Sequence, residues 1–195
     1  MFYDTETNRH GLRHDPFKAL VVPRPIGWIS TVSRQGIVNL APYSFFNAVG
    51  EAPPFVMFAS AGRKDSQRNA EDTGEFVCSL ATYELREAMN LTSAKLPPDT
   101  DEFVHAGLDK APSRLVKPPR VAASPAAFEC RTWRTIELPT RHHYAIVIGQ
   151  VVGVHIADHV IRDGLVDTLA MRAIARLGYM DYSTVDSIFS MQRPG

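Results

Sequence analysis

The sequence predicts a mainly β chain with inserted helices, folded as an antiparallel β-barrel. Short β-branched and aromatic runs recur from residue 19 onward, with turn residues between them. Only two helical segments interrupt these runs, without the βαβ alternation of a doubly wound sheet. The length of 195 residues suits one domain, since soluble domains run about 100–200 residues. Residues 1–16 are polar and aperiodic and read as an N-terminal arm whose order depends on a partner surface. The barrel domain is assigned to residues 17–182 and a C-terminal tail to 183–195.

Residues 19–22, 28–33 and 37–40 read as strands, with Ser33-Arg34-Gln35-Gly36 as a hairpin turn between the last two. Residues 55–60 form a nearly unbroken apolar run behind Pro53-Pro54, the pattern of a strand buried on both faces and central in its sheet. Residues 64–73 are polar and predict a helix capped by Asp65 or Ser66 and stopped by Gly74, after which 76–80 returns to strand. A second helix is predicted over 83–91. Between 92 and 125, Pro97-Pro98, Pro112, Pro118-Pro119 and Pro125 break regular structure, so this excursion is assigned to a subunit contact or the rim of a site. Residues 127–138 and 144–156 read as two longer strands that complete the barrel, and 166–177 as a short helix or loop ended by Gly178-Tyr179.

Composition narrows the function classes. Twenty-one basic residues balance twenty-one acidic ones, which argues against nucleic-acid or acidic-lipid partners and leaves any anion binding to local clusters. Cys78 and Cys130 sit in apolar runs and form no Cys-x-x-Cys pair, so buried free thiols and a reducing cytoplasm are expected. No apolar stretch approaches the ~20 residues of a spanning helix, and residues 1–6 lack the pattern of a signal peptide, so a soluble, unexported protein is expected.

The chemistry concentrates in three blocks: Pro23-Arg24-Pro25-Ile26-Gly27-Trp28-Ile29-Ser30-Thr31, then Asn39-Leu40-Ala41-Pro42-Tyr43-Ser44-Phe45-Phe46, then Gly62-Arg63-Lys64-Asp65-Ser66. Strands carrying hydroxyls and an amide lie beside a basic loop that opens a helix, which suits a ligand with a flat aromatic end and a phosphate end. A phosphate at the start of the 64–73 helix would meet free N–H groups, the positive end of the dipole and the cations of Arg63 and Lys64, with Ser66 beside them. Taken alone, these residues also read as an ordinary solvated basic helix start. Ser30 and Thr31 fall on opposite strand faces, so only one side chain can face a given pocket. They and Asn39 and Ser44 also read as ordinary β and turn polar residues. Pro42 removes a ladder donor and so forces an edge or bulge, which frees neighbouring backbone groups for a ligand. Trp28 and Tyr43 are the better candidates for a ring-stacking wall, with Phe45 and Phe46 assigned to the core.

In this order and spacing the three blocks resemble the flavin reductase-like, FMN-binding split-barrel family, most nearly its flavoredoxin-type branch, over roughly residues 15–182. The resemblance implies a split barrel in which Arg63, Lys64 and Ser66 hold the FMN phosphate. It implies that residues 39–44, including Ala41 and Pro42, contact the isoalloxazine and ribityl portion. It further implies a homodimer using NADH or NADPH as a transient co-substrate and passing electrons to a partner oxygenase or another acceptor. Arg176-Leu177-Gly178-Tyr179 resembles the family's Arg-Leu-Gly-Gly tail motif, with Tyr179 where a second glycine stands, a residue that tolerates positive φ poorly.

His142-His143 and His155 with His159 lack metal-ligand spacing on strands, so no metal is expected, and His143 is a weak candidate for a place near the flavin ring. The chain carries no Gly-x-Ser-x-Gly elbow, no Gly-x-Gly-x-x-Gly after a strand, no Walker loop and no His-Glu-x-x-His. The activity the resemblance implies is flavin or flavoprotein reduction with no catalytic side chain, because the cofactor carries the chemistry. An electron-transfer flavoprotein without NAD(P)H turnover and a non-catalytic flavin-binding module are the alternatives.

Overall fold

The turn at Ser33–Gly36 sets the first register. In the computed structural model, which describes residues 1–195, Ser33 N–H donates to Ile37 O at 2.8 Å and Gly36 N–H to Ser33 O at 3.0 Å. In chain order the elements are α1 (Phe17–Leu20), β1 (Arg24–Pro25), β2 (Gly27–Val32), β3 (Val38–Tyr43), β4 (Phe46–Glu51), β5 (Pro54–Ala61), α2 (Asp65–Thr73) and β6 (Glu75–Leu80). Then follow α3 (Arg86–Leu91), α4 (Glu102–His105), β7 (Lys110–Ala111), β8 (Arg120–Val121), β9 (Ala126–Glu137) and β10 (Tyr144–Ile156). A 3-10 turn at Asp158–Val160, β11 (Ile161–Arg162), β12 (Leu165–Val166), β13 (Ile174–Arg176) and β14 (Tyr182–Thr184) complete the chain.

Seven strands form one antiparallel sheet in the order β3-β2-β6-β9-β10-β5-β4. Its two outer strands are consecutive in sequence and joined by only Ser44 and Phe45. A two-residue link cannot cross an open seven-stranded sheet at ~4.8 Å per strand, so the sheet is rolled until its ends meet. The link continues the β4–β5 ladder, with Ala59 N–H donating to Phe45 O at 2.8 Å, and the seam itself is closed where the Phe46 ring lies over Gly27. A Cβ on Gly27 would stand 2.4 Å from Phe46 Cδ2, so the closure requires glycine there. Yet β3 and β4 do not pair with each other, and the barrel is split along this line. Pro42 sits on β3, an edge strand where its missing N–H costs no ladder bond.

Ile29, Phe58, Phe76, Cys130 and Val147 point inward from five strands and are fully buried, and Ala70 of α2 joins them as a plug. On the outer face of β2 and β3, Trp28 and Leu40 pack with Met89, Phe103, Val121 and Ile174 in a second cluster roofed by α3, α4 and the small sheet β1-β13-β14. The long strands β9 and β10 bend across two register shifts, at Ile148/Gly149 and Val151/Gly153. Cys78 and Cys130 are free and buried; burial pushes the Cys78 thiol up to about 12 and Cys130 well above the usual thiol range.

Several local expectations are corrected. Residues 19–22 are not a strand, because the chain there ends the short helix α1 and bends before Pro23. β5 is not central but next to the edge strand β4, and its burial alternates: Val56, Phe58 and Ser60 are buried while the residues between them are partly exposed. Neither Asp65 nor Ser66 caps α2, since Lys64 occupies that position without a side-chain hydrogen bond. Tyr83 lies outside α3, which begins at Arg86. Residues 166–177 contain strand β13 rather than a helix, paired to both β1 and β14.

Candidate functional site

α2 presents its N-terminus to the seam. Lys64, at the N-cap, has an extended backbone (φ −74°, ψ 170°) and no side chain caps the helix, so its first-turn N–H groups lack intrahelical acceptors and any side-chain substitute. Gly74, with φ +74°, ends the helix by donating to Ala70 O at 3.1 Å. The loop before α2 is pinned to the β9–β10 turn, where Gly62 N–H meets His142 O and His143 O at 3.0 and 3.2 Å.

Ser66 and Asn39 tie this helix start to the edge strand: Asn39 Nδ2 donates to Ser66 Oγ at 2.8 Å, with both residues buried. Ser66 keeps its own proton to donate. Beside it lies the Tyr43 hydroxyl, buried near the hydroxyls of Ser60 and Ser66 but without a hydrogen bond of sound geometry to either. Burial pushes the Tyr43 pKa above the ordinary phenol value, so it remains a neutral donor.

These residues form one wall of a cleft of about 750 Å³ along the barrel's split, within the range of ~300–1,000 Å³ that holds small cofactors. Asn39, Ala41, Pro42, Tyr43 and Ser44 line it from β3 and its link, and Arg63, Lys64 and Ser66 from the start of α2. Phe45 and Tyr144 face it as an aromatic pair with ring centroids 5.7 Å apart. Six basic residues line the cleft (Lys18, Arg24, Arg63, Lys64, Lys95, Arg176) against one acid, Asp65, which is itself bonded to Arg68. In a chain of zero formal charge this is a concentrated positive field. Arg63 is partly neutralised by Glu71 at 2.9 Å, whereas Lys64 has no carboxylate partner.

Three residues singled out from the sequence lie elsewhere. Trp28 is fully buried outside the barrel wall, its Nε1 donating to Thr92 Oγ1 at 2.9 Å. Ser30 donates to Pro119 O, and Thr31, on the opposite face, accepts from Asn69 Nδ2 of α2 at 3.1 Å. Their side chains support the site's walls without reaching the cleft. Phe45 thus takes the cleft-facing place expected of Trp28, and Tyr43 is both core and cleft wall. His143 sits in an exposed turn with φ +49° and does not line the cleft. Sequence reasoning missed Lys18, Arg24, Lys95 and Arg176 as a group, because residues so far apart in the chain meet only through the topology.

The donor set fits a phosphorylated, flat aromatic cofactor: uncapped helix N–H groups and cations for the phosphate, free edge-strand backbone and an unpartnered buried hydroxyl for polar ring atoms, aromatic rings for the rest.

Comparison with known proteins agrees with the fold. The family model described as flavin reductase like domain matches residues 19–174. An uncharacterized protein of Aquifex aeolicus is 38% identical over 165 residues, covering 82% of this chain and 83% of that protein. Nitrilotriacetate monooxygenase component B from Bacillus cereus superposes with a TM-score of 0.88 at 31% identity, covering 98% of each chain. Flavoredoxin of Desulfovibrio vulgaris (Miyazaki F) superposes with a TM-score of 0.80 at 20% identity over 88% of this chain and 91% of its own.

Proposed function

The chain belongs to the flavin reductase-like domain family, and on that footing we propose that it is an NAD(P)H-dependent FMN oxidoreductase. The observation that carries the reading is the cleft at the split, with an uncapped helix start and an excess of cations. What bound FMN supplies is two-electron redox chemistry, from a nicotinamide hydride to an acceptor. The chain's own residues hold and orient. Lys64, Arg63 and the first N–H groups of α2 receive the phosphate; Ser66 donates its free proton; residues 41–44 offer backbone groups to the ring; Phe45 and Tyr144 flank it. No side-chain acid or base takes part, which leaves catalysis to proximity of the two rings.

The likeness to a monooxygenase component supports an oxygenase, or another electron acceptor, as the partner that is served. A homodimer is part of the proposal, because Trp133, Val49 and Ile136 are exposed apolar side chains and the edge strand β4 is unpaired on one side. A reducing cytoplasm suits the two free thiols, and no helix is long and apolar enough to cross a membrane.

The test is anaerobic mixing of the purified protein with FMN and either NADH or NADPH, following flavin absorbance. Bleaching accelerated by the protein is the expected result; reduction no faster than in its absence contradicts the reading.

A further inference from the structure

Arg24 and Arg176 face each other in the β1–β13 ladder as directly paired residues. Like charges directly opposite on a sheet are destabilising, and a carboxylate between them would offset the repulsion. None is present: neither arginine takes part in any ion pair. Arg24 is only 6% exposed, its guanidinium held by the carbonyls of Lys18, Val21 and Leu177 (the last two at 2.6 and 2.8 Å), and its Nε has no partner. Burial, with the charge of Arg176 added, lowers the Arg24 pKa. Both arginines line the cleft, as does Lys18.

Arg176 is held in place for use. Its Nη2 donates to Tyr179 O, and its guanidinium stands 4.4 Å from the Tyr182 ring centroid, which leaves most of its donors unspent. Tyr179 carries φ +54°, a conformation costly for a bulky residue, so the tail keeps a glycine-like backbone despite its tyrosine and directs that carbonyl at Arg176. Gly178 is fixed by close approach, since a Cβ there would lie 2.5 Å from Ala19 Cβ. The cluster thus sets a buried Arg24 against a partly exposed Arg176 and an exposed Lys18 at the cleft wall, three cations with no carboxylate among them.

FMN carries one phosphate, which the start of α2 accounts for. We propose that the Arg24–Arg176 pair, with Lys18, is a second anion subsite of the same cleft that receives a phosphoryl group of the visiting nicotinamide dinucleotide. This rests on the flavin reading above. Two phosphoryl sources share the chemistry: the pyrophosphate common to NADH and NADPH, and the 2′-phosphate of NADPH alone.

The test measures binding of NAD⁺ and NADP⁺ to the FMN-loaded protein by calorimetry, for wild type, Arg176→Gln, Arg176→Lys and Lys18→Gln, with FMN affinity measured separately. Arg176→Gln is expected to weaken dinucleotide binding by about tenfold or more, as loss of a charge-assisted bond implies. Arg176→Lys should recover part of that loss, Lys18→Gln should weaken binding less, and FMN affinity should stay within about twofold. Loss for both dinucleotides assigns the pyrophosphate; loss for NADP⁺ alone assigns the 2′-phosphate. Unchanged dinucleotide binding in Arg176→Gln, or wild-type protein that holds FMN but neither dinucleotide, overturns the subsite. An equal loss of FMN affinity overturns it too, by giving the cluster to the flavin. Failure of wild type to bind FMN at all removes the flavin reading itself.

Discussion

Asn39 on the edge strand donates to Ser66 in the first turn of α2, a 2.8 Å bond between two buried side chains that spans the floor of the cleft. The edge strand and the helix start, which we propose hold the flavin ring and its phosphate, are thereby one unit. Thr31 and Asn69 repeat the device one turn further along α2. Both bonds join α2 to the β2–β3 hairpin, so movement of the helix start must break buried hydrogen bonds.

Asn39→Ala and Ser66→Ala should each weaken FMN binding, and the double variant should weaken it by less than the two together. Each single change removes the shared bond and leaves a buried partner unsatisfied, at about 1–3 kcal/mol. A coupling energy of ~0.5–3 kcal/mol in the double-mutant cycle is expected. Simple additivity would show that the two side chains act independently.

Gly27→Ala should destabilise the protein, because the new methyl meets the Phe46 ring at 2.4 Å across the seam. Overpacking of this kind costs about 1–3 kcal/mol. In a chain of this size each kcal/mol lowers the melting temperature by roughly 2–4 °C. Combining Gly27→Ala with Phe46→Leu should recover part of the loss, and thermal melts of the three variants decide the matter.

Glu129 makes stability depend on pH. Its carboxylate is 1% exposed and accepts from the N–H groups of Arg114, Leu115 and Val116 at 2.7, 2.6 and 3.2 Å, with His155 Nε2 at 2.5 Å. Burial alone would raise its pKa, but the bonds from Arg114, His155 and Leu115 outweigh it and hold the group below the usual carboxylate value. A lowered folded-state pKa stabilises above the unfolded value, near 4.3, and that stabilisation is lost as pH falls through the folded pKa. Glu129→Gln should therefore cost about 1–3 kcal/mol near neutral pH, and the difference from wild type should shrink in acid. Denaturant melts from about pH 7, where the stabilisation is fully present, down to about pH 3, where it is being lost, measure it. A difference independent of pH would contradict the assignment.

Much of this was legible in the residues. The long strand β10 shows as a sustained β-branched run, and α2 shows through its polar stretch ended by Gly74. Pro42 marked an edge or a bulge, because a missing donor is tolerated at either, and it stands on the edge strand β3. Non-local pairing was not legible. β13 is a strand only because Arg24–Pro25 and Tyr182–Thr184 flank it, and nothing within residues 166–177 states that. Side-chain alternation on β2 could be read, but not which face was which: Trp28 packs beneath α3 while Phe45, in the link, faces the cleft. Residues 55–60 read as doubly buried because Phe55 is apolar and points outward, where it meets Trp133 with ring centroids 5.8 Å apart.

The start of α2 is the proposed seat of the FMN phosphate, and riboflavin, which lacks that phosphate, is the ligand to set against FMN. Both ligands share the ring and ribityl chain; on the proposed assignment only FMN would use Lys64, Arg63 and the uncapped N–H groups. In the Arg63→Ala, Lys64→Ala double variant, FMN affinity should fall by about tenfold or more while riboflavin affinity holds nearly constant. Equal losses for the two ligands, or none for FMN, would remove the phosphate from this helix start.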